Sequence, residues 1–306
     1  MPLLIAATIG FGVVSFNGQG GTDRVPNCGL TAGWSIPGGG RVEASTLLDR
    51  VAGRTVVLLG ERHDDAAHHR WQRDTLQALH QRRKQIVLGL EMFPRRVQPA
   101  LDAWVRGELD ETAFLRDSDW NNVWGFDAEL YMDIFRYARE HRLPMRALNV
   151  DAALTSAVGR NGFDATVPHE REGVTQPARA SARYTDWLGS IFRMHDLAGP
   201  PQALDVRRRS LDHFIEAQLV WDRAMAQGIR DALAEFPGAL VVSLIGSGHL
   251  RHGDGVAHQL DDLGVGDHAT LLPWDSRSDC RELVAGLADA VYAIEGDPLN
   301  RRRRTI

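Results

Sequence analysis

Four apolar runs in this 306-residue chain each end on a group able to exchange a proton or hold a metal ion. Residues 55–59 lead into Gly60-Glu61-Arg62-His63-Asp64-Asp65, with His68 and His69 a turn later; residues 86–90 lead into Glu91-Met92-Phe93-Pro94-Arg95. Residues 144–150 close on Asn149 and Val150 before Asp151, and residues 239–245 lead into Gly246-Ser247-Gly248-His249. Glu61, His63, Glu91 and His249 are two carboxylates and two imidazoles, a sufficient ligand set for a divalent transition metal such as Zn, Mn, Co or non-haem Fe. They equally suit a metal-free acid–base centre in which a carboxylate orients an imidazole. Spacing alone does not choose between these readings, and Arg95 and Asn149 stand beside the same ends to support either. One polar strand end is ordinary, because loops are polar and acidic residues cap helices. Four together point to a site.

Several other chemistries are excluded. There is no H-E-x-x-H helix and no C-x-x-C-H haem attachment signature. Gly246-Ser247-Gly248 is not a G-x-S-x-G elbow, since the glycines flank the serine directly. Nor is it G-x-G-x-x-G, because the next glycine is Gly253. Lys84 is the single lysine, so Schiff-base chemistry has one position open to it. Of the twelve histidines, adjacent His68 and His69 point about 100° apart on a helix, so at most one shares a site with His63. His80, His141, His169, His195 and His213 read as packing or surface residues. His252 and His258 could stand behind His249.

A second signal is the aromatic block from Trp120 through Trp124 to Asp127, followed by Tyr131. Large rings beside polar strand ends line apolar pockets, although the same residues also make a helix-packing cluster. Tyrosine is a known axial ligand type for ferric haem. Tyr131 and Tyr137 lie nearly opposite on their helix, so only one faces a given pocket.

The elements that must position these residues alternate. Short helices are expected over 44–51, 97–105, 110–116 and 258–263, and longer ones over 68–83, 128–141, 184–195 and 206–236, the last open to a break. Apolar runs at 55–59, 86–90, 144–150, 239–245 and 270–273 read as buried strands. Residues 151–204 are otherwise irregular. Strand–helix alternation predicts an α/β fold: a mainly parallel central sheet flanked by helices on both faces, one domain with a helical insertion. In such sheets ligands sit outside the carboxyl ends of the strands, where the four polar ends converge.

Apolar residues at 43% and charged residues at 25% place the chain among globular proteins and exclude collagen-like, disordered and polytopic membrane classes. A net charge of -5 gives no reason to expect nucleic acid. Two cysteines exclude a disulfide scaffold and a Cys-only metal cluster. If oxidised, Cys28 and Cys280 would close a long loop worth about 4–5 kcal/mol and indicate an oxidising compartment. Residues 1–29 contain an apolar, glycine-rich stretch that reads as a truncated export signal or an extra strand, without a good lipobox before Cys28. Residues 30–296 form the α/β domain, and 297–306 a basic tail.

Taken in order, Leu58-Leu59-Gly60-Glu61-Arg62-His63-Asp64, Gly89-Leu90-Glu91-Met92-Phe93-Pro94-Arg95 with Gln98, and the block from Trp120 to Tyr131 resemble the ChaN-like haem-binding proteins of the Tiki/erythromycin-esterase-like/TraB group. Ala147-Leu148-Asn149-Val150, Ala217 to Asp222 with Met225-Ala226, and Gly246-Ser247-Gly248-His249-Leu250 complete the resemblance, which spans about residues 30–275. It implies a haem- or iron-binding protein of the bacterial cell envelope, periplasmic or membrane-associated, serving haem or iron acquisition. It also implies haem held between two protomers of a homodimer through tyrosine. Tyr131 is the first ligand expected by that resemblance, Tyr184 the second, with Trp124 in the haem pocket. Esterase-like relatives imply the alternative, a hydrolase, metal-dependent or not, using Glu61, His63, Glu91 and His249 on a small molecule.

Overall fold

A computed structural model describes residues 28, 30–196, 204–275 and 278–294. The apolar stretch within 1–27 and the tail 297–306 lie outside them. Seven strands form one sheet: β1 Gly33–Ser35, β2 Val56–Glu61, β3 Ile86–Pro94, β4 Met145–Asn149, β5 Leu240–Gly246, β6 His268–Trp274 and β7 Ala290–Ala293. Their order is β1-β7-β6-β2-β5-β3-β4, and only the β1–β7 pair is antiparallel. The fold is the expected α/β architecture.

Every residue of β2, β3 and β5 is buried, which is why these strands read as unbroken apolar runs rather than alternating ones. On one face Leu59, Leu88, Leu90 and Leu244 pack against the helices Ala44–Ala52, Ala66–Arg82, Gln98–Arg106 and Glu129–Glu140. On the other, Val56, Leu58, Val87 and Val241 pack against Leu204–Glu235 and Val256–Asp262. Asp65 starts Ala66–Arg82 by accepting hydrogen bonds from the Ala67 and His68 amides.

Three differences from the sequence reading have physical causes. β1 and β7 differ from the expectation, because three and four residues are too few to show a period; β1 is the edge strand and β7 lies between it and β6. The segment expected at 206–236 is one unbroken 32-residue helix, Leu204–Glu235, carried past its polar stretches by packing rather than propensity. Part of the segment read as irregular, Ala152–Asn161, is helical and packs through Leu154 and Val158 on Ala217 and Val220. Among the described residues no helix is long and apolar enough to cross a membrane.

Candidate functional site

The carboxyl ends of β2, β5 and β3 are neighbours at the centre of the sheet, and they carry Glu61, His249 and Glu91. Glu61 is the last residue of β2, so its side chain and that of His63, two residues on, meet each other. His63 Nδ1 lies 2.7 Å from Glu61 Oε1. Glu91 sits where β3 loses register with β4, between Leu90 and Pro94, an irregularity that lets the strand re-aim a side chain. Its Oε2 accepts the Gly246 amide, tying β3 to the end of β5. His249 follows in a short 3-10 turn, with Nδ1 2.7 Å from Asp222 Oδ1 and Nε2 3.7 Å from Glu91 Oε1.

The sequence-predicted quartet Glu61, His63, Glu91 and His249 therefore stands in one cluster. Gly246 permits this. A Cβ there would stand 2.9 Å from His63 Cε1 and 3.4 Å from Glu91 Oε2, nearer the imidazole than real contacts allow. Asn149 stands behind Glu91, donating to its carbonyl over 2.9 Å. Arg95 does not face the pocket: it donates to the carbonyls of Glu172 and Ala224, pinning two segments together.

Both tyrosines point inward. Tyr131 is fully buried and donates to Glu61 Oε1 over 2.7 Å; Tyr184, 2 % exposed, donates to Asp222 Oδ2 over 2.8 Å. Burial and the adjacent carboxylates push both phenols well above their ordinary range, so each stays protonated as a donor. Trp124 lies one layer further out. Its indole donates to Tyr131 Oη at 3.1 Å, and its ring meets His63 edge-on at 4.6 Å.

Three contributors escaped the sequence reading as site residues. Asp222 is fully buried in the long helix. Its signal was a carboxylate on a face otherwise lined by Leu219, Met225 and Ala226, the position of a core-facing acid. Trp221 meets the His249 ring edge-on, with the ring centroids 5.6 Å apart. His69, rather than His68, is the neighbour that joins Glu61, with Nδ1 3.4 Å from Glu61 Oε2. His69 Nδ1 faces Gln72 Oε1 at 3.1 Å and Nε2 faces the His63 carbonyl at 3.1 Å. Gln72 Nε2 is committed to the Leu59 and Gly60 carbonyls, so its oxygen is the acceptor. Both ring nitrogens of His69 thus carry protons, making it a buried imidazolium.

The electrostatics follow from these pairings. Burial opposes charge on Glu61, but the field of His69 and the bonds from His63 and His69 outweigh it and hold the carboxyl well below its usual range. Burial likewise opposes the His249 imidazolium, yet Asp222, by field and hydrogen bond, and Glu91 raise it to about 9. His63 is raised as well: burial is overcome by the Glu61 bond and by Glu91, with His249 opposing.

A second cluster has metal-ligand side chains in close reach of one another. Among the described residues, the group whose ligand atoms all lie within 4.8 Å of one another is Asp65, His68 and Asp275, not the quartet. Its chemistry does not fit a divalent cation. His68 Nδ1 accepts the Arg62 amide over 2.9 Å, so the proton of the neutral ring sits on Nε2, the atom that would face the metal. Arg62 already supplies positive charge, 2.8 Å from Asp65 and 3.3 Å from Asp275. Elemental analysis of protein reloaded with Zn, Mn or Co and desalted is expected to find well below one equivalent. A full equivalent lost in His68→Ala would reverse this assignment.

Outside the quartet the rim opens into a cleft of about 440 Å³ lined by Met92, Trp124, Trp221, Asn122, Asn149 and Arg96, among others. Its wall combines two indoles, Met92 and Val150 with the charged Arg96, Asp151 and Glu172, apolar surface with polar groups beside it, as small-molecule clefts have.

Comparison with known proteins places this geometry. The solved structure of ChaN from Campylobacter jejuni, described as binding haem cofacially, superposes with a TM-score of 0.65 at 18% identity, over 84% of this chain and 93% of that one. An erythromycin esterase variant, EreC, in its open conformation matches at a TM-score of 0.47 and 13% identity, over 75% of this chain and 72% of its own. No curated protein matches the sequence. The family model described as haem-binding uptake, Tiki superfamily, ChaN matches residues 47–260, from the first core helix to the helix after His249, and the chain belongs to that family.

Proposed function

We propose that this protein binds haem in the rim cleft and serves haem or iron acquisition in the bacterial cell envelope. The family assignment carries the reading, and the cleft fits it: Trp124 and Trp221 offer ring faces, and Met92 and Val150 add apolar wall. The phenols of Tyr131 and Tyr184 do not fit direct iron ligation in this arrangement, because each is buried and spent on a carboxylate. The Cys28–Cys280 disulfide supports an oxidising compartment, as an envelope protein needs. By analogy with the cofacial haem of the Campylobacter protein, two copies would meet cleft to cleft.

Hemin titration tests this. A saturable Soret change at one haem per chain is expected, with dimerisation read by light scattering. Trp124→Ala and Trp221→Ala should each weaken binding about tenfold or more, since burying an indole is worth about 1.5–3 kcal/mol. Tyr131→Phe should leave the Soret position unchanged. Absence of saturable binding would overturn the reading.

A second reading, hydrolysis, is favoured by one observation: two imidazoles, each held by a carboxylate, stand beside Glu91 and touch the cleft residues Trp124 and Trp221. Haem binding does not need that arrangement.

A further inference from the structure

Iron in haem proteins is taken by imidazole, phenolate, thiolate or thioether, and the wall of the rim cleft holds almost none of these. Of the four tyrosines, Tyr131 and Tyr184 are buried against Glu61 and Asp222. Tyr137 meets His80 Nδ1 at 2.8 Å and Tyr292 packs against Trp34, and neither lines the cleft. The two cysteines are joined in a disulfide. His63 and His249 touch Trp124 and Trp221 but do not line the cleft themselves, nor does any other histidine among the described residues. The sulfur on the wall, the thioether of Met92, is 1 % exposed, and as a soft donor it is poorly matched to ferric iron. The wall carboxylates are engaged elsewhere: Asp151 holds Arg96 over 2.6 Å, and both oxygens of Glu172 receive the Asp151 amide at 3.2 Å.

Carbon surface is what the wall supplies instead. The indole nitrogen of Trp124 is spent on Tyr131 Oη at 3.1 Å, so this residue contributes ring carbon to the cleft. Trp221 is braced against the His249 ring, and Val150 and Pro94 extend the apolar wall. Attraction of a flat conjugated ring to such a wall grows with the apolar area covered and with ring–ring contact. Both belong to the macrocycle, and neither depends on the ion at its centre.

We infer that the rim cleft recognises the tetrapyrrole ring and not its iron, so that metal-free protoporphyrin IX is bound as tightly as haem. The ligand class is the planar tetrapyrrole, whatever its centre holds. The inference rests on the haem reading and widens the substrate class of the same cleft.

Charge at the ring edge does not separate the two ligands. Hemin and protoporphyrin IX share the macrocycle and both propionates, so Arg96, Asp151 and Glu172 act on them alike. The difference between them is confined to the centre of the ring. With no protein donor at hand there, the iron exchanges no axial ligand on binding and adds no net affinity.

Parallel titrations of the full chain with hemin and with protoporphyrin IX, followed by quenching of tryptophan fluorescence, test this. The two dissociation constants are expected to agree within about threefold, a small difference on the scale of binding energies. Trp124→Ala and Trp221→Ala should weaken both ligands by the same factor, about tenfold or more. Met92→Leu, which keeps the apolar volume and removes the sulfur, should leave both constants unchanged, and thermal melting screens each variant for folding. Hemin binding more than about tenfold tighter than protoporphyrin IX in wild type would overturn the inference while the haem reading stands. So would a loss of hemin affinity alone in Met92→Leu, which would make that thioether an iron ligand. If neither porphyrin binds saturably, the haem reading falls and this inference with it.

Discussion

Reducing the Cys28–Cys280 bond is expected to destabilise the protein by about 3–5 kcal/mol, the largest single effect we anticipate from a change remote from the pocket. The bond closes a loop of 252 residues in sequence. A crosslink of that span removes a large part of the unfolded chain's freedom, and loop entropy grows only slowly beyond such lengths. It also has a local partner: Trp274 Nε1 donates to Cys28 Sγ over 3.4 Å, so the crosslink sits against the carboxyl end of β6. Melting followed by circular dichroism, with and without reductant, should show a fall of about 10 °C. Cys280→Ser should reproduce it without reductant. An unchanged transition in both experiments would mean that the pair contributes nothing to folding in solution.

The second large effect concerns Asp222 and His249. Replacing the Asp222 carboxylate by an amide removes the charge that faces the buried imidazole and leaves one acceptor oxygen for two donors, His249 Nδ1 and the Tyr184 hydroxyl. Asp222→Asn should therefore cost about 3–5 kcal/mol, the usual penalty for breaking a buried pair from one side. The pH dependence has a definite sign. His249 is raised in the folded protein to about 9 from an ordinary value near 6.5, mainly because Asp222 outweighs the cost of burial. The folded state thus binds the proton more tightly than the unfolded chain. Its contribution, about 3 kcal/mol, is complete below pH ~6.5 and is lost as the pH rises towards ~9. Chemical denaturation at a series of pH values should show this alkaline loss in wild type and its near absence in Asp222→Asn. Equal alkaline slopes in the two proteins would remove His249 as the cause. Glu61 acts at the opposite end. Held low by His69 and His63, it contributes stability above the ordinary carboxyl range, and that contribution fades as acid protonates it.

Much of the fold was legible in the chain itself. Residues 55–59, 86–90 and 239–245 announced buried parallel strands because burial on both faces demands unbroken apolar runs, and runs are visible locally. The strand-end rule places Glu61, His63, Glu91 and His249 in one neighbourhood, since a parallel sheet delivers all carboxyl ends to one rim. Tyr131 and Tyr184 were legible as residues but not in their orientation. A helical period says which residues share a face, not how deep that face is set, and both phenols proved to point at carboxylates rather than outward.

What only the tertiary structure decided is pairing across distance. Asp222 lies 27 residues before His249, and Tyr184 a further 38 before Asp222. Nothing in a local window links them; the helix Leu204–Glu235 packing across β4 and β5 does. The distinction between His68 and His69 was of the same kind, settled by which ring met Glu61 and which met Asp275. The sequence by itself determined which chemical groups reach the rim, because the apolar runs and the residues that end them are local properties repeated along the chain. The folded structure alone determined which carboxylate holds which imidazole, because a hydrogen bond of 2.7 Å depends on packing between elements far apart in sequence.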